Sequence, residues 1–257
     1  MAKDLKILFC SLIRDKAEFI GDWYSRIRSI QSLRPSWTFN ISLYENDSED
    51  SSKEDLENLD WSFANWFNLS SEKNDKEYFI GLERKRIERL SAYRNLCIYQ
   101  FGDLDSIDRI IMNDIDCSYD PKHAVEIIEK SLEWDIFSFA SRDSGTADEF
   151  YDRWATRRSP VDKWWDNKPY NTKGDNQTWT TGNGFVSYNP EAFKRGATFG
   201  YVNKRLKNHD SENAVVCENF RAFGFNKIGF DGRYNTMHVR DKHWHNKKDA
   251  NTTNNIQ

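Results

Sequence analysis

Two acids separated by one residue, Asp114 and Asp116, are the side chains of this sequence best placed to hold a cation. They close the stretch Arg109-Ile110-Ile111-Met112-Asn113-Asp114-Ile115-Asp116, where an apolar run leads into the acids ahead of a Tyr-Asp-Pro turn signal. Such a run reads as a short buried strand. Residues two apart on a strand share a face, so both carboxylates can meet one ion. Hard oxygen ligands of this kind suit Mg²⁺ or Mn²⁺ that also keeps waters and phosphate oxygens. In open α/β sheets ligands sit beyond the carboxyl ends of the strands, where this pair falls. Acid pairs are common in turns, so the rest of the chain has to support the site.

The elements that would position the pair follow from periodicity. Residues 6–13 form an apolar run, the first strand. A helix over 17–33 carries Phe19, Ile20, Trp23, Ile27 and Ile30 on one side, and Pro35 ends it. A second strand covers 37–44. Strand, helix, strand order brings the loop 11–15 and the turn 45–47 to one sheet edge, where Ser11, Arg14 and Glu45 can face a nucleotide. Residues 48–58 read as a loop with a short helix, and 61–69 as a third strand.

The strongest helical pattern covers 83–101, with Ile87, Leu90, Leu96 and Ile98 as candidate buried positions. Its basic residues include Arg86 and Arg94, roughly 80° apart at ~3.6 residues per turn. They can flank one site, Arg94 reaching toward a diphosphate; a solvated basic face is the plain alternative. A helix over 121–132 and a buried strand over 135–140 follow, ending near Asp143. Residues 144–178 lack periodicity and are rich in Trp, Tyr, Asp and Arg, as functional loops are. The Gly182-Asn183-Gly184 turn leads into a strand over 185–188, and a helix begins near 190. A helix over 213–223 has Ser211 as a plausible N-cap, with Glu212 in its first turn. A last strand over 227–230 precedes Met237-His238-Val239.

Composition narrows the class. The 257 residues fit one α/β domain over 1–240, with a polar, disordered tail over 241–257. A net charge of −4 gives no basic excess, so nucleic acid is not an expected partner. There is no G-x-G-x-x-G and no Walker loop. Aromatic content is 15%, with 10 Trp, which serves core packing or the stacking of sugar rings. Cys10, Cys97, Cys117 and Cys217 form no C-x-x-C pair and read as reduced, mostly buried thiols. No segment approaches a membrane span and no leader pattern opens the chain, so a cytoplasmic protein is expected.

The run Arg86-Ile87-x-x-Leu90-Ser91-x-x-Arg94-Asn95, followed by Asn113-Asp114-Ile115-Asp116, resembles the fungal capsule-associated mannosyltransferases. Further matches are Phe150-Tyr151-Asp152-x-Trp154, the Gly182–Gly184 turn, the stretch from Glu212 through Cys217 to Phe220, and the Lys227-Ile228 strand. The chain is also similar to the GT-A domains with which large algal viruses build capsid glycans; for a viral protein the site of action would be the host cytoplasm. The resemblance implies a GT-A-like, Rossmann-like α/β fold: a mixed, mostly parallel sheet flanked by helices. It also implies a nucleoside-diphosphate sugar donor, an oligosaccharide acceptor and Mn²⁺ or Mg²⁺. Ser91 stands where the fungal pattern has Ala. That pattern also lacks the second acid, and because Asp116 completes the pair here, a UDP-sugar is favoured over a GDP-sugar.

Carried over residue by residue, Asp114 and Asp116 become metal and donor acids, and Arg86, Arg94 and Asn95 donor-side residues. A late histidine often completes the metal site in such enzymes, and His238 is the candidate. An inverting reaction needs a carboxylate to take the acceptor proton. Glu212 is the first candidate, ahead of Asp143 and Asp210. Trp154, Trp179, Thr181, Gly182 and Asn183 are candidate acceptor contacts. Two rivals remain. A haloacid-dehalogenase-type phosphatase would carry its acid pair on the first strand, with Thr where Ser118 stands. A non-catalytic glycan-binding module, or an inactive relic, would not need an intact acid pair.

Overall fold

The protein is seen in a computed structural model, which describes residues 4–71, 83–143, 146–150, 153–162, 170–182 and 184–239, with 143 and 146–150 through their backbone. In chain order the elements begin β1 (Lys6–Ile13), α1 (Ala17–Leu33), β2 (Thr38–Glu45), α2 (Ser52–Glu57) and β3 (Trp66–Ser71). Next come α3 (Arg84–Tyr99), β4 (Arg109–Asn113), β5 (Cys117–Ser118), α4 (Pro121–Ser131), β6 (Ile136–Asp143) and β7 (Thr146–Phe150). The last are β8 (Asp175–Gln177), β9 (Phe185–Tyr188), α5 (Pro190–Lys194), β10 (Val202–Asn203), β11 (Asn208–His209), α6 (Glu212–Ala222) and β12 (Ile228–His238).

The main sheet runs β3-β2-β1-β4-β9-β6-β12-β5. The β3–β2, β2–β1, β1–β4 and β6–β12 ladders are parallel, while β9 runs antiparallel between β4 and β6. Because β9 reverses direction once on each side, β1, β2, β4, β6 and β12 all end at the same edge. Both faces of β1 are covered, which is why its sequence is a continuous apolar run rather than an alternation. Ile7 and Phe9 pack with Ile20, Trp23, Ile27 and Ile30 of α1 and with Ile127 and Ile128 of α4. Leu8 and Cys10 pack on the other side with Cys97 and Ile98 of α3 and with Val216 and Phe220 of α6.

Four sequence expectations change. The acid pair lies not on a strand but in the turn between β4 and β5, with Ile115 buried between the two acids. The strand expected over 61–69 starts only at Trp66, because Trp61 and Phe63 turn back onto Tyr24 of α1. The segment after 230 is not a separate element: β12 continues to His238 through a register shift between Asp231 and Asn235. The aperiodic 144–178 region holds the short strands β7 and β8. The expected tail over 241–257 lies outside the described residues.

The four cysteines are free and buried, and burial pushes the Cys97 and Cys217 thiols up to about 12. Among the described residues no helix is long and apolar enough to cross a membrane.

Candidate active site

The acid turn is held from below by Asn113, the last residue of β4, which is fully buried. Its Oδ1 accepts from Trp23 Nε1 at 3.1 Å and from the Tyr119 hydroxyl at 2.7 Å. Its Nδ2 donates to Gly184 O at 3.3 Å, and its carbonyl accepts from Ser11 Oγ at 2.6 Å. A polar side chain at the end of an apolar strand is thus satisfied by three residues far apart in the fold, and its carbonyl by a fourth, as burial requires. Gly184 closes the turn from the other side, its carbonyl accepting from Asp114 N at 2.7 Å. A Cβ at Gly184 would stand 1.9 Å from Cys117 Sγ, so only glycine allows this approach. At Gly182 a Cβ would stand 2.3 Å from Asn213 Cβ, which presses this turn onto the start of α6.

On one side of the turn, Arg94 links Asp114 to Glu212. Its Nη2 donates to Asp114 Oδ1 at 3.3 Å, and its Nε lies 3.4 Å from Glu212 Oε1. The Arg94 and Glu212 side chains are each 7% exposed, and that of Asp114 is 37% exposed. Burial would lower the Arg94 pKa, but Asp114 and Glu212 more than reverse this and hold the guanidinium charged. Burial raises the Asp114 carboxyl above its ordinary value against the lowering effect of Arg94, with Asp116 and Glu212 adding to the rise.

On the other side, Asp116 Oδ2 lies 2.9 Å from Lys16 Nζ and 3.3 Å from His238 Nε2. Burial pushes the Asp116 carboxyl up, but the His238 hydrogen bond and the charges of His238 and Lys16 outweigh it and hold the group well below the carboxylate range. His238 is drawn upward in turn: burial lowers its pKa, and Asp116 more than compensates. The backbone brings the two together. The end of β12 pairs antiparallel with β5, His238 opposite Cys117, and Val239 N donates to Asp116 O at 2.9 Å.

The residues expected at this site divide sharply. Asp114, Asp116, His238, Arg94 and Glu212 converge. The backbone of Asp143 ends β6 beside His238. Ser11 and Glu45 are buried beneath the edge; Glu45 accepts from Ser48 N at 2.6 Å and from Ser71 Oγ at 2.8 Å. Arg14 Nε lies 4.0 Å from Asp15, and Arg86 is half-buried on α3. Asn95 exchanges two hydrogen bonds with the backbone of Phe199, at 3.0 and 2.9 Å. Asp210 is buried against Arg157, whose Nη1 donates at 2.8 Å, and accepts from Asn203 Nδ2 at 2.7 Å and from Ser211 N at 2.9 Å. Ser211 stands at the N-cap of α6 without a side-chain cap bond. Trp179 donates to Glu218 at 2.9 Å, and the Arg221 guanidinium lies 4.0 Å from its ring centre. Trp154 is half-buried, Thr181 is buried with its hydroxyl 2.9 Å from Ser138 Oγ, and Asn183 lies outside the described residues.

Lys16 and Asn113 belong to the arrangement without having been expected there. Lys16 has one sequence signal: a cation at the start of α1 opposes the helix dipole and needs another reason to be there.

The donor set is one that Mn²⁺ or Mg²⁺ accepts. Among the described residues no three acidic, histidine or cysteine side chains already stand in metal-ligand geometry. Asp116 Oδ2 and His238 Nε2 nevertheless lie 3.3 Å apart. Two ligands at right angles on one ion, each at about 2.1 Å, are separated by about 3 Å. The donor types fit a divalent ion, and the present spacing of these two is that of the hydrogen bond between them.

A curled mixed sheet of this order is the GT-A glycosyltransferase fold. The chain belongs to the cryptococcal mannosyltransferase 1 family, whose profile matches residues 6–218. No curated protein matches the sequence significantly. Among solved structures, a mannosyltransferase from Pyrobaculum calidifontis in complex with GDP-Man and Mn²⁺ is similar, with a TM-score of 0.60 at 10% identity over 96% of this chain and 60% of that one. S. aureus TarS 1-349 in complex with UDP-GlcNAc gives 0.57 at 11% identity, over 93% of this chain and 59% of that one. The chain thus spans about 60% of the length of these structures.

Proposed function

We propose that this glycosyltransferase moves a sugar from a nucleoside-diphosphate sugar, with UDP favoured over GDP, to a hydroxyl of a glycan acceptor, and needs Mn²⁺ or Mg²⁺ to do so. A role in building a capsule or capsid glycan is the setting that the family suggests. The observation that carries the reading is the convergence of Asp114, Asp116 and His238 at one sheet edge, with Glu212 facing the acid turn through Arg94.

Charge supports the metal requirement. Asp114, Asp116 and Glu212 face two permanent cations, Arg94 and Lys16, so the edge does not offer a diphosphate the positive field it needs. Asp116 and His238, with Asp114 beside them, would hold the ion, which when bound neutralises the charge growing on the leaving diphosphate. Glu212 is the proposed base for the acceptor hydroxyl. Its carboxylate is held in place by Arg94 and by Asn213 Nδ2 at 3.2 Å. Asp210 is the weaker choice, since both of its oxygens are already bonded within a buried network.

The test is a calorimetric titration of UDP and of GDP, each with and without Mn²⁺, on wild type and Asp116→Ala. The expected result is metal-dependent binding of one nucleotide, lost in the variant. If neither nucleotide binds with metal present, the transferase reading fails.

A further inference from the structure

Lys16 is not a loose surface lysine. The loop that carries it, between β1 and α1, is clasped by the loop after β2. Asp15 N donates to Ser48 Oγ at 2.9 Å, Lys16 N to Ser52 Oγ at 2.8 Å and Ala17 N to Asp50 Oδ2 at 3.0 Å. Glu49 N returns a bond to Asp15 Oδ1 at 2.7 Å. The amides leading into α1, from Asp15 to Ala17, are therefore taken up by side chains, and the backbone of Lys16 is fixed. Its ammonium then meets the same Asp116 oxygen that His238 approaches.

A dication held by that oxygen and His238 would stand within a few ångströms of the ammonium and repel it more strongly than the single imidazole charge that shares the oxygen now. The Lys16 side chain is 21% exposed on a flexible stem, so it can turn outward.

We propose that Lys16 is the resident cation of the acid turn: it holds Asp116 in the metal-free protein, competes with a divalent ion for that carboxylate and, once displaced, pairs with the donor diphosphate. This rests on the donor reading above. Metal binding and nucleotide binding then respond in opposite directions to removal of the ammonium. A purely structural lysine would not produce that split.

Calorimetry with Mn²⁺ alone on wild type, Lys16→Gln and Lys16→Met tests the competition. The expected result is Mn²⁺ affinity raised roughly five- to tenfold in both variants, the lower part of the usual range for coupled sites. Unchanged or weaker Mn²⁺ affinity, or no Mn²⁺ binding by wild type or variants, overturns it. Lys16→Arg keeps the charge and guards against a folding defect: its Mn²⁺ affinity should stay with wild type, and a rise equal to that of Lys16→Gln also overturns the competition. UDP and GDP titrated at saturating Mn²⁺ test the second half, where Lys16→Gln should lose a similar factor in nucleotide affinity. An unchanged nucleotide affinity removes the diphosphate pairing. Failure of wild type to bind either nucleotide defeats the donor reading instead, while the Mn²⁺ titration still decides the competition.

Discussion

Replacing Arg94 by Met keeps the length and apolar stem of the side chain and removes only the charge that two acids share. Removing one partner of a buried ion pair costs about 3–5 kcal/mol, because the remaining charge is left desolvated. Two features of the site place this case at the lower end. The contacts, at 3.3 and 3.4 Å, are longer than a tight charge-assisted bond, and the Asp114 side chain is 37% exposed, so water takes over part of the lost interaction. The expected loss is about 3 kcal/mol, which for a domain of this size lowers Tm by roughly 6–12 °C. The sign of its pH dependence also follows. Arg94 lowers an Asp114 pKa that burial raises, so without Arg94 the folded-state pKa climbs further. A carboxyl whose folded pKa is raised destabilises fully above that pKa and ceases to do so once it is protonated. The deficit of Arg94→Met should therefore be largest at alkaline pH and shrink as pH falls toward the ordinary carboxylate range. Urea unfolding in metal-free buffer measures it, and Glu212→Gln completes a double-mutant cycle. The double variant should recover about 1–2 kcal/mol of the Arg94→Met loss, since one orphaned charge has gone. A loss below about 1 kcal/mol, or strictly additive single effects, would refute a shared buried guanidinium.

Gly184→Ala forces a Cβ to within 1.9 Å of Cys117 Sγ, so the acid turn must shift. A cost of about 3 kcal/mol and loss of nucleotide binding are expected, and an alanine variant with wild-type Tm would show the approach to be looser than described. Asp231, at the bulge of β12, is fully buried; burial raises its pKa, but hydrogen bonds from Arg233 and the Lys130 charge outweigh this and hold it low. A depressed folded pKa gives stability that is present above about pH 4 and lost as pH falls through the folded value. Asp231→Asn should cost roughly 2 kcal/mol at pH 7, and the Tm gap to wild type should narrow as pH falls below about 4 toward the depressed folded value. A gap constant with pH would count against this.

What the sequence made legible was mostly local. The bounds of β1 and α1 follow directly from an apolar run and a one-sided helical stripe, because both elements are shaped by the core they cover. Trp61 and Phe63 misled because edge-on packing against Tyr24 and Trp23 gives aromatic residues a place in the core outside any strand. Arg94 could have been read further. It shares the buried face of α3 with Ile87, Ser91 and Ile98, spaced four, three and four residues apart, and an arginine in a buried stripe demands acids facing it. What no spacing reveals is which acids: Asp114 is 20 residues away and Glu212 is 118. The same holds for Trp179, a candidate acceptor contact by sequence, whose ring lies 4.0 Å from the Arg221 guanidinium, 42 residues away. Pairings of that range are set by strand order, and β9 inserting between β4 and β6 is a topological fact rather than a local one.

The strand order also explains why the two halves of the site are distinct. Asp116 answers to β1's loop and to the end of β12, through Lys16 and His238, whereas Asp114 answers to the helices α3 and α6, through Arg94 and Glu212. Ile115, buried between them, turns the two carboxylates toward different partners although only one residue separates them in sequence. A strand would have given both acids one face and one environment. The turn instead lets burial raise one carboxyl while its cations hold the other low, so the two acids stand in unequal states. Asp116 is the ionised acid of the pair, and Lys16 and His238 already take up its Oδ2. Asp114 gives only its Oδ1 to Arg94, at 3.3 Å, so whatever draws on this carboxylate also acts on the guanidinium beside Glu212.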